Sequence, residues 1–424
     1  MDTTISKTIK QTIAQNIEQA IRFNEQGKIQ PAIELFQDTI KIYPQSIKAL
    51  KCLGEIYQSQ NNWQEAANCY QKLVELNDRD NQSYFSLAKC FDQLREFDEV
   101  IAIYQKLTDY KVKIPAQSHL LLAKIFQQQE RWQDAINCYQ KAHQTNPNIS
   151  DESYLKLRYL QRKQNCLNDA IETSKKLIEK NYLINHKYKI IYCPIPKNAS
   201  TLFKLELLRH SEEETQSQDL TKQIHRYLKK NHTSLTLPDF SYLEREDYFK
   251  FAILREPFKR LVSAYLNKFV KIKKSPPFVK NVIANVYQYL GREPDYKQSI
   301  TFSQFINYLA RTEDFELNGH WRPQHTFLDL NLVKFDLLGR LENLEQVIQI
   351  IEEQTGLKIK NEKTGNKLNY GIIIDQENFH DLYPSEIRLL GKFPNADQLY
   401  TPELKDLVRI KYEEDHNLFH SCQA

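Results

Sequence analysis

Two short segments carry residues able to hold a phosphate group. The first is Pro196-Lys197-Asn198-Ala199-Ser200-Thr201. It follows the apolar run 188–193, which reads as a strand stopped by Pro194 and Pro196. It leads into Leu202, Phe203, Leu205, Leu207 and Leu208, spaced as the apolar face of a helix. A strand, a loop and a helix start make an anion cradle: first-turn amides and the helix dipole face the anion, Lys197 adds charge, and Ser200 and Thr201 donate hydrogen bonds. The Walker pattern GxxxxGK is absent. The same residues also fit a plain helix start, with Ser200 or Thr201 as N-cap and Lys197 in solvent. On this segment alone the two readings balance.

The second segment is a strand, FKFAIL at 249–254, followed at once by Arg255-Glu256-Pro257 and a helix carrying Arg260, Ser263, Tyr265 and Lys268. Arg255 stands at the carboxyl end of a strand, where open α/β sheets take their ligands. An arginine with a serine on the following helix can fork one phosphate. The plain alternative is a surface helix with Glu256 paired to Lys259 or Arg260. Residues 255–274 also hold Lys271, Lys273 and Lys274 against Glu256 as the only acid. That lysine run is a candidate acceptor contact and equally a solvated loop.

The elements that must position these residues lie in a chain of 424 residues with only 9 glycines. Such scarcity excludes glycine-dependent Walker and dinucleotide loops. From Gly54 to Gly291 there is none, so a phosphate site there must work with amides and side chains. Hydrophobic residues make up 41% and charged residues 26%, the balance of a globular protein with room for two or three cores. A net charge of +4 is too small to predict nucleic-acid binding. The 7 cysteines are scattered without a CxxC pair, which predicts neither a metal site nor a disulfide framework. The first residues lack an apolar leader, and no run is long enough to span a bilayer. The expected location is the cytoplasm, with peripheral membrane contact left open.

Upstream, the sequence repeats every 34 to 35 residues. Small residues recur at Ala32, Ala66, Val100, Ala135 and Ala170, and aromatics follow four residues later at Phe36, Tyr70, Tyr104 and Tyr139. Each unit reads as two amphipathic helices, with Pro44 and Pro147 stopping second helices. This pattern resembles the tetratricopeptide repeat. Four units match well, and a fifth, around Ala170 and Leu177, is degenerate because Gln161 and Ser174 replace its aromatics. The resemblance implies an α-solenoid with a concave face, serving as a spacer or as a dock for a protein partner. The boundary is drawn at 183/184, giving a repeat domain at 1–183 and a second domain at 184–424.

Taken together, PKNAST and LREPFKRLVSAYLNKF resemble the phosphosulfate loop and the 3′-phosphate segment of the sulfotransferases, particularly the carbohydrate sulfotransferases and their bacterial relatives. Two further blocks fit the same order: NGHWRPQHTFLDL with VKFDLLGRLENLEQVIQIIEEQTGL, and YTPELKDLVRIKYEEDHNLF. The resemblance implies a P-loop-like α/β fold with a central parallel sheet flanked by helices. It also implies the donor 3′-phosphoadenosine 5′-phosphosulfate, a hydroxyl acceptor such as a carbohydrate, and no metal. Carried over residue by residue, Lys197, Asn198, Ala199, Ser200 and Thr201 hold the phosphosulfate, and Arg255 and Ser263 hold the 3′-phosphate. Lys197 would also stabilise the leaving oxygen.

The attacking hydroxyl needs a base, and histidine suits neutral pH. The resemblance brings His225 and His232 forward equally, in QIHRYLKKNHTSL, with a carboxylate as a further option. His320 and Arg322, in GHWRPQ, are candidate acceptor contacts. Where the animal enzymes carry cysteines after this block, Gln324, His325 and Thr326 stand here. The competing reading is a repeat scaffold carrying a relic nucleotide domain. A kinase ranks last, since the loop has no Gly-Lys pair and no acidic residue ends an apolar strand.

Overall fold

The computed structural model describes residues 2–211, 224, 227–228, 234–272, 274–360 and 378–422. Contacts divide the chain into two compact units, Met1–Ile149 and Ser150–Ala424. The sequence-drawn boundary at 183/184 lies one repeat further on, so the fifth repeat packs with the C-terminal unit.

The first unit consists of α1 (Asp2–Glu25), α2 (Ile29–Ile42), α3 (Ile47–Ser59), α4 (Trp63–Leu76), α5 (Asn81–Leu94), α6 (Phe97–Asp109), α7 (Ala116–Gln128) and α8 (Trp132–Thr145). The small residues Ala32, Ala66, Val100 and Ala135 are buried between paired helices, beside buried Phe36, Tyr70, Tyr104 and Tyr139. At Gly54 the helices approach closely: a Cβ there would lie 3.0 Å from the Tyr70 ring. The turn inside each pair uses one left-handed residue at a fixed repeat position, Gly27, Asn61, Arg95, Glu130 and then Asn165. Only the first is glycine, so four side-chain-bearing residues accept a left-handed conformation costing about 1–2 kcal/mol each. Helix packing on either side holds them there.

The second unit begins with the fifth pair, α9 (Asp151–Lys163) and α10 (Leu167–Asn181). A four-stranded sheet follows: β1 (Leu183–Asn185), β2 (Ile190–Cys193), β3 (Phe249–Leu254) and β4 (Leu337–Arg340), in the order β1-β2-β3-β4. β2, β3 and β4 are parallel, with Tyr192 opposite Phe251 and Phe251 opposite Leu337. β1 is antiparallel at the edge, so the expected parallel sheet is mixed. Its longer helices are α11 (Ser200–Arg209), α12 (Pro257–Tyr265), α13 (Pro277–Tyr289), α14 (Phe302–Arg311), α15 (Leu344–Thr355), α16 (Pro402–Lys411) and α17 (Glu413–Ser421).

Successive strand residues point to opposite faces, and both faces are buried, as expected of parallel strands. Ile190, Tyr192, Phe251 and Ile253 pack against Leu202, Phe203 and Leu205 of α11 and Val347 and Ile351 of α15. Ile191, Cys193, Ala252 and Leu254 pack against Ile178 of α10, Tyr182, Leu328 and Val333. The fifth repeat therefore roofs one face of the sheet. The Tyr182 hydroxyl bonds the carbonyls of Phe327 and Leu328, and Tyr159 of α9 stacks on Phe315 with centroids 4.3 Å apart. At the two positions where other repeats bury rings, Gln161 accepts a buried 2.8 Å hydrogen bond from Thr173 and Ser174 accepts from Arg158 at 3.2 Å. Among the described residues, no helix is long and apolar enough to cross a membrane.

Candidate anion site at the strand ends

β2 ends at Cys193, and the chain turns through Pro194–Ala199 into α11. Lys197 and Ala199 both take left-handed backbone angles, φ 75° and 56°. This is how the loop curls without glycine. Ala199 is the N-cap residue of α11 and no side chain caps the helix. The capped-start alternative for Ser200 and Thr201 is thus not adopted; both lie in the first turn, whose amides have no intrahelical acceptor.

Lys197 sits among cations. Burial and then the charges of Lys268, Arg255, Arg260 and Lys271 push its ammonium down to about 7. The four charges that act most strongly on it are of its own sign, and such a grouping carries a cost unless an anion joins it. Arg255 Nη1 donates to the Lys197 carbonyl at 3.4 Å, joining the two strand ends.

Glu256 does not pair with Lys259 or Arg260. It caps α12, accepting from the amides of Phe258 at 3.1 Å and Lys259 at 2.8 Å, while Pro257 fits the first turn. Arg260 is not a surface residue either. It is 1% exposed and donates to the carbonyls of Pro196 (3.3 Å), Arg322 (2.8 Å) and Gly319 (3.0 Å). It clamps the Lys197 loop to the 317–324 loop. Ser263 is buried on α12. After α12 the helix widens into a π turn, Leu266–Val270, a rare form frequent at functional sites. It carries Lys268, whose ammonium burial pushes down. Lys271 follows directly.

His320 reaches the same region. Its ring stacks on Phe278 with centroids 5.5 Å apart and planes 3° apart, and the Lys268 ammonium lies 5.6 Å from the same ring. Asn318 Oδ1 accepts from the His320 amide at 3.1 Å and meets Nδ1 at 2.6 Å. That makes Nδ1 the donor and leaves Nε2 as the basic nitrogen. Arg322 turns elsewhere: its guanidinium lies 4.2 Å from the centre of the Phe327 ring, and burial, with Arg158 nearby, lowers it to about 10.

The structure therefore gathers Lys197, Arg255 and Lys271, with Asn198 beneath them and His320 alongside. His225, His232 and Lys273 lie outside the described residues. The sequence reading missed Gln324 and Asp415. Gln324 is buried against Asn198 and Arg255, and Asp415 accepts from the amides of Gln324 and His325. One of three successive acids in the first turn of a C-terminal helix has no local pattern that would single it out.

Residues 180–420 match the profile described as the Sulfotransferase family, more than half of the chain. Residues 19–46 match the Tetratricopeptide repeat, and 59–142 match Anaphase-promoting complex, cyclosome, subunit 3. Carbohydrate sulfotransferase 14 of Danio rerio is 30% identical over 186 residues, 43% of this chain and 50% of that protein. Carbohydrate sulfotransferase 10 of Homo sapiens is 26% identical over 196 residues, 43% and 54% of the two chains. The chain spans about half the length of the curated relatives it matches. Among solved structures, the MamA protein aligns over 40% of this chain and 92% of its own at 19% identity, with a TM-score of 0.35.

Proposed function

The chain belongs to the sulfotransferase family, and from that premise we propose that it moves a sulfuryl group from 3′-phosphoadenosine 5′-phosphosulfate to a carbohydrate hydroxyl. The observation that carries this reading is the gathering of Lys268, Arg255, Arg260 and Lys271 around Lys197. A donor with charge at both its 5′ and 3′ ends suits two cationic strand ends joined by one hydrogen bond.

The donor supplies the transferable sulfuryl group. Lys197, the amides of the first turn of α11, and the hydroxyls of Ser200 and Thr201 would hold its 5′ end; Arg255 and Ser263 would hold the 3′-phosphate. In the transfer, the acceptor oxygen bonds to sulfur, the bond from sulfur to the bridging oxygen breaks, and the acceptor proton passes to a base. Charge then rises on the departing oxygen, where Lys197 opposes it. His225 and His232 are proposed as the base. His320 is proposed on the acceptor side; Arg322, expected there from the sequence, lies against Phe327 instead.

Arg255→Ala should weaken binding of adenosine 3′,5′-bisphosphate about 10- to 100-fold, the worth of a charge-assisted pair. Isothermal titration measures it, and unaltered affinity would sink the assignment. The pH dependence has a definite sign. An anion favours protonated Lys197, so affinity should be full below about pH 7 and fall as the pH rises through it. The decline is at most tenfold per unit and ends at the higher value reached in the complex. A phosphate ionises near pH 6, so the range above 7 reports on the protein. Flat affinity there would contradict the depressed lysine.

The repeat unit is proposed to dock a protein partner, supported by its match to tetratricopeptide repeats. Removing residues 1–149 should leave nucleotide affinity within about twofold, because that unit is compact by itself; a large loss would show that it builds the donor site. A reducing cytoplasm is the proposed location, supported by seven free thiols.

A further inference from the structure

Gln324 occupies an unusual place between the two strand-end segments. It is 1% exposed and Asn198 is 0% exposed. Its Oε1 accepts from Asn198 Nδ2 at 2.6 Å and from the Arg255 amide at 3.0 Å. Its Nε2 donates to the Arg255 carbonyl at 2.8 Å. The side-chain amide thus pairs with both main-chain groups of Arg255, as a neighbouring strand would, and holds Asn198 with the same oxygen. Asn198 lies between Lys197 and Ala199, the two left-handed residues of the loop, and its Nδ2 also reaches the carbonyl of Ile253 at 2.8 Å.

Gln324 is itself anchored. Its amide donates to Asp415 Oδ2 at 2.6 Å, and the Asp415 carboxylate also accepts from the His325 amide at 2.9 Å and meets His325 Nδ1 at 3.0 Å. Asp415 is 1% exposed, on α17. The glutamine is therefore a fixed bracket, bonded through both atoms of its side-chain amide and through its backbone amide, although Asn198 Oδ1 in the same network is buried without a hydrogen-bond partner among the described residues.

We propose that Gln324 is a positioning residue that sets the Lys197 loop and the Arg255 strand end in mutual register, so that a nucleotide must present both of its charged ends to bind well. The inference rests on the sulfotransferase reading, because it takes the two segments as the holders of the 5′ and 3′ groups. Gln324 touches neither group. It acts through Asn198 on one side and the Arg255 backbone on the other. Losing the bracket loosens both at once, whereas truncating Arg255 affects the 3′ side first.

The test compares full-length wild-type protein with Gln324→Met, which keeps the length of the side chain and removes its polar atoms. Affinities are measured by titration for adenosine 3′,5′-bisphosphate, adenosine 5′-monophosphate and adenosine 3′-monophosphate. In the variant, the preference for the bisphosphate over each monophosphate should fall about tenfold, the worth of one lost hydrogen bond on each side. A role confined to stability lowers the melting temperature and leaves both preferences intact, and that result would overturn the inference alone. Should the methionine variant not fold, Gln324→Glu keeps the acceptor for Asn198 and replaces the donor to the Arg255 carbonyl. It should reduce the same two preferences, and unchanged preferences there overturn the inference equally. Wild-type protein that does not bind the bisphosphate overturns the sulfotransferase reading, and this inference with it.

Discussion

Lys197→Ala should lower kcat by about 10²–10³-fold, the usual effect of removing one group that meets developing charge. The reason lies in where the ammonium sits. Four cations press on it, and its backbone is held in a left-handed bend, so it is aimed before any substrate arrives. A preorganised charge costs no rearrangement during transfer. Nucleotide binding should fall much less, since Arg255, Lys268 and Lys271 remain. Lys197→Arg should not restore turnover: a planar fork cannot take the place of a compact ammonium in a crowded pocket. Transfer of labelled sulfate to a panel of carbohydrate acceptors, beside bisphosphate titration, separates the two effects. Equal losses in both would place Lys197 in binding alone, and full activity in the arginine variant would remove the geometric argument.

The second large effect concerns stability. Arg158→Ala should destabilise the second unit by about 3–5 kcal/mol. Arg158 of α9 pairs with Asp329 at 2.9 Å, at side-chain exposures of 12% and 6%, and also reaches Ser174 Oγ at 3.2 Å. Asp329 ends the short helix His325–Leu328 in a left-handed conformation. Truncating the arginine leaves that carboxylate buried without its partner, and the penalty is its desolvation. For a unit of this size the loss corresponds to a fall of roughly 10 °C in melting temperature. Replacing both residues with apolar ones of similar volume should recover most of it. A single variant as stable as wild type, by denaturant titration, would show that the pair is dispensable. The consequence for design is that a fragment starting at Ser150 keeps this pair and the roof of the sheet, while one starting at 184 loses both.

Some of this architecture was legible along the chain. The period of small and aromatic residues located the helix pairs because 34-residue spacing repeats one packing problem. The largely apolar run at 249–254 predicted β3 with the bounds it has, since a strand buried on both faces reads as a near-continuous apolar run. β2 came out shorter, Ile190–Cys193, because Lys189 takes a left-handed angle that no strand tolerates. From residue types alone the loop from Pro196 to Thr201 fits an anion cradle and a capped helix start equally. Its N-cap was misplaced, since Ser200 and Thr201 both suit that position by propensity and the capping residue is Ala199.

Other features had no local signature. Arg260 looked like one more charge on an exposed helix. Three carbonyls from two distant loops make it a buried clamp, and their positions depend on tertiary packing. The degenerate fifth repeat read as the end of a solenoid; Ile178 and Tyr182 became the roof of a sheet that begins only at Leu183. Local pattern was enough for the helix pairs, for β2 and β3 and for the charges that follow them, because hydrophobic period and turn chemistry act between near neighbours; β1 and β4 carried no such signal. The tertiary structure alone decided which charges face one another, that Gln324 and Asp415 brace them, and which unit owns the fifth repeat. Those outcomes depend on contacts between residues far apart in the chain, and no short-range pattern encodes such contacts.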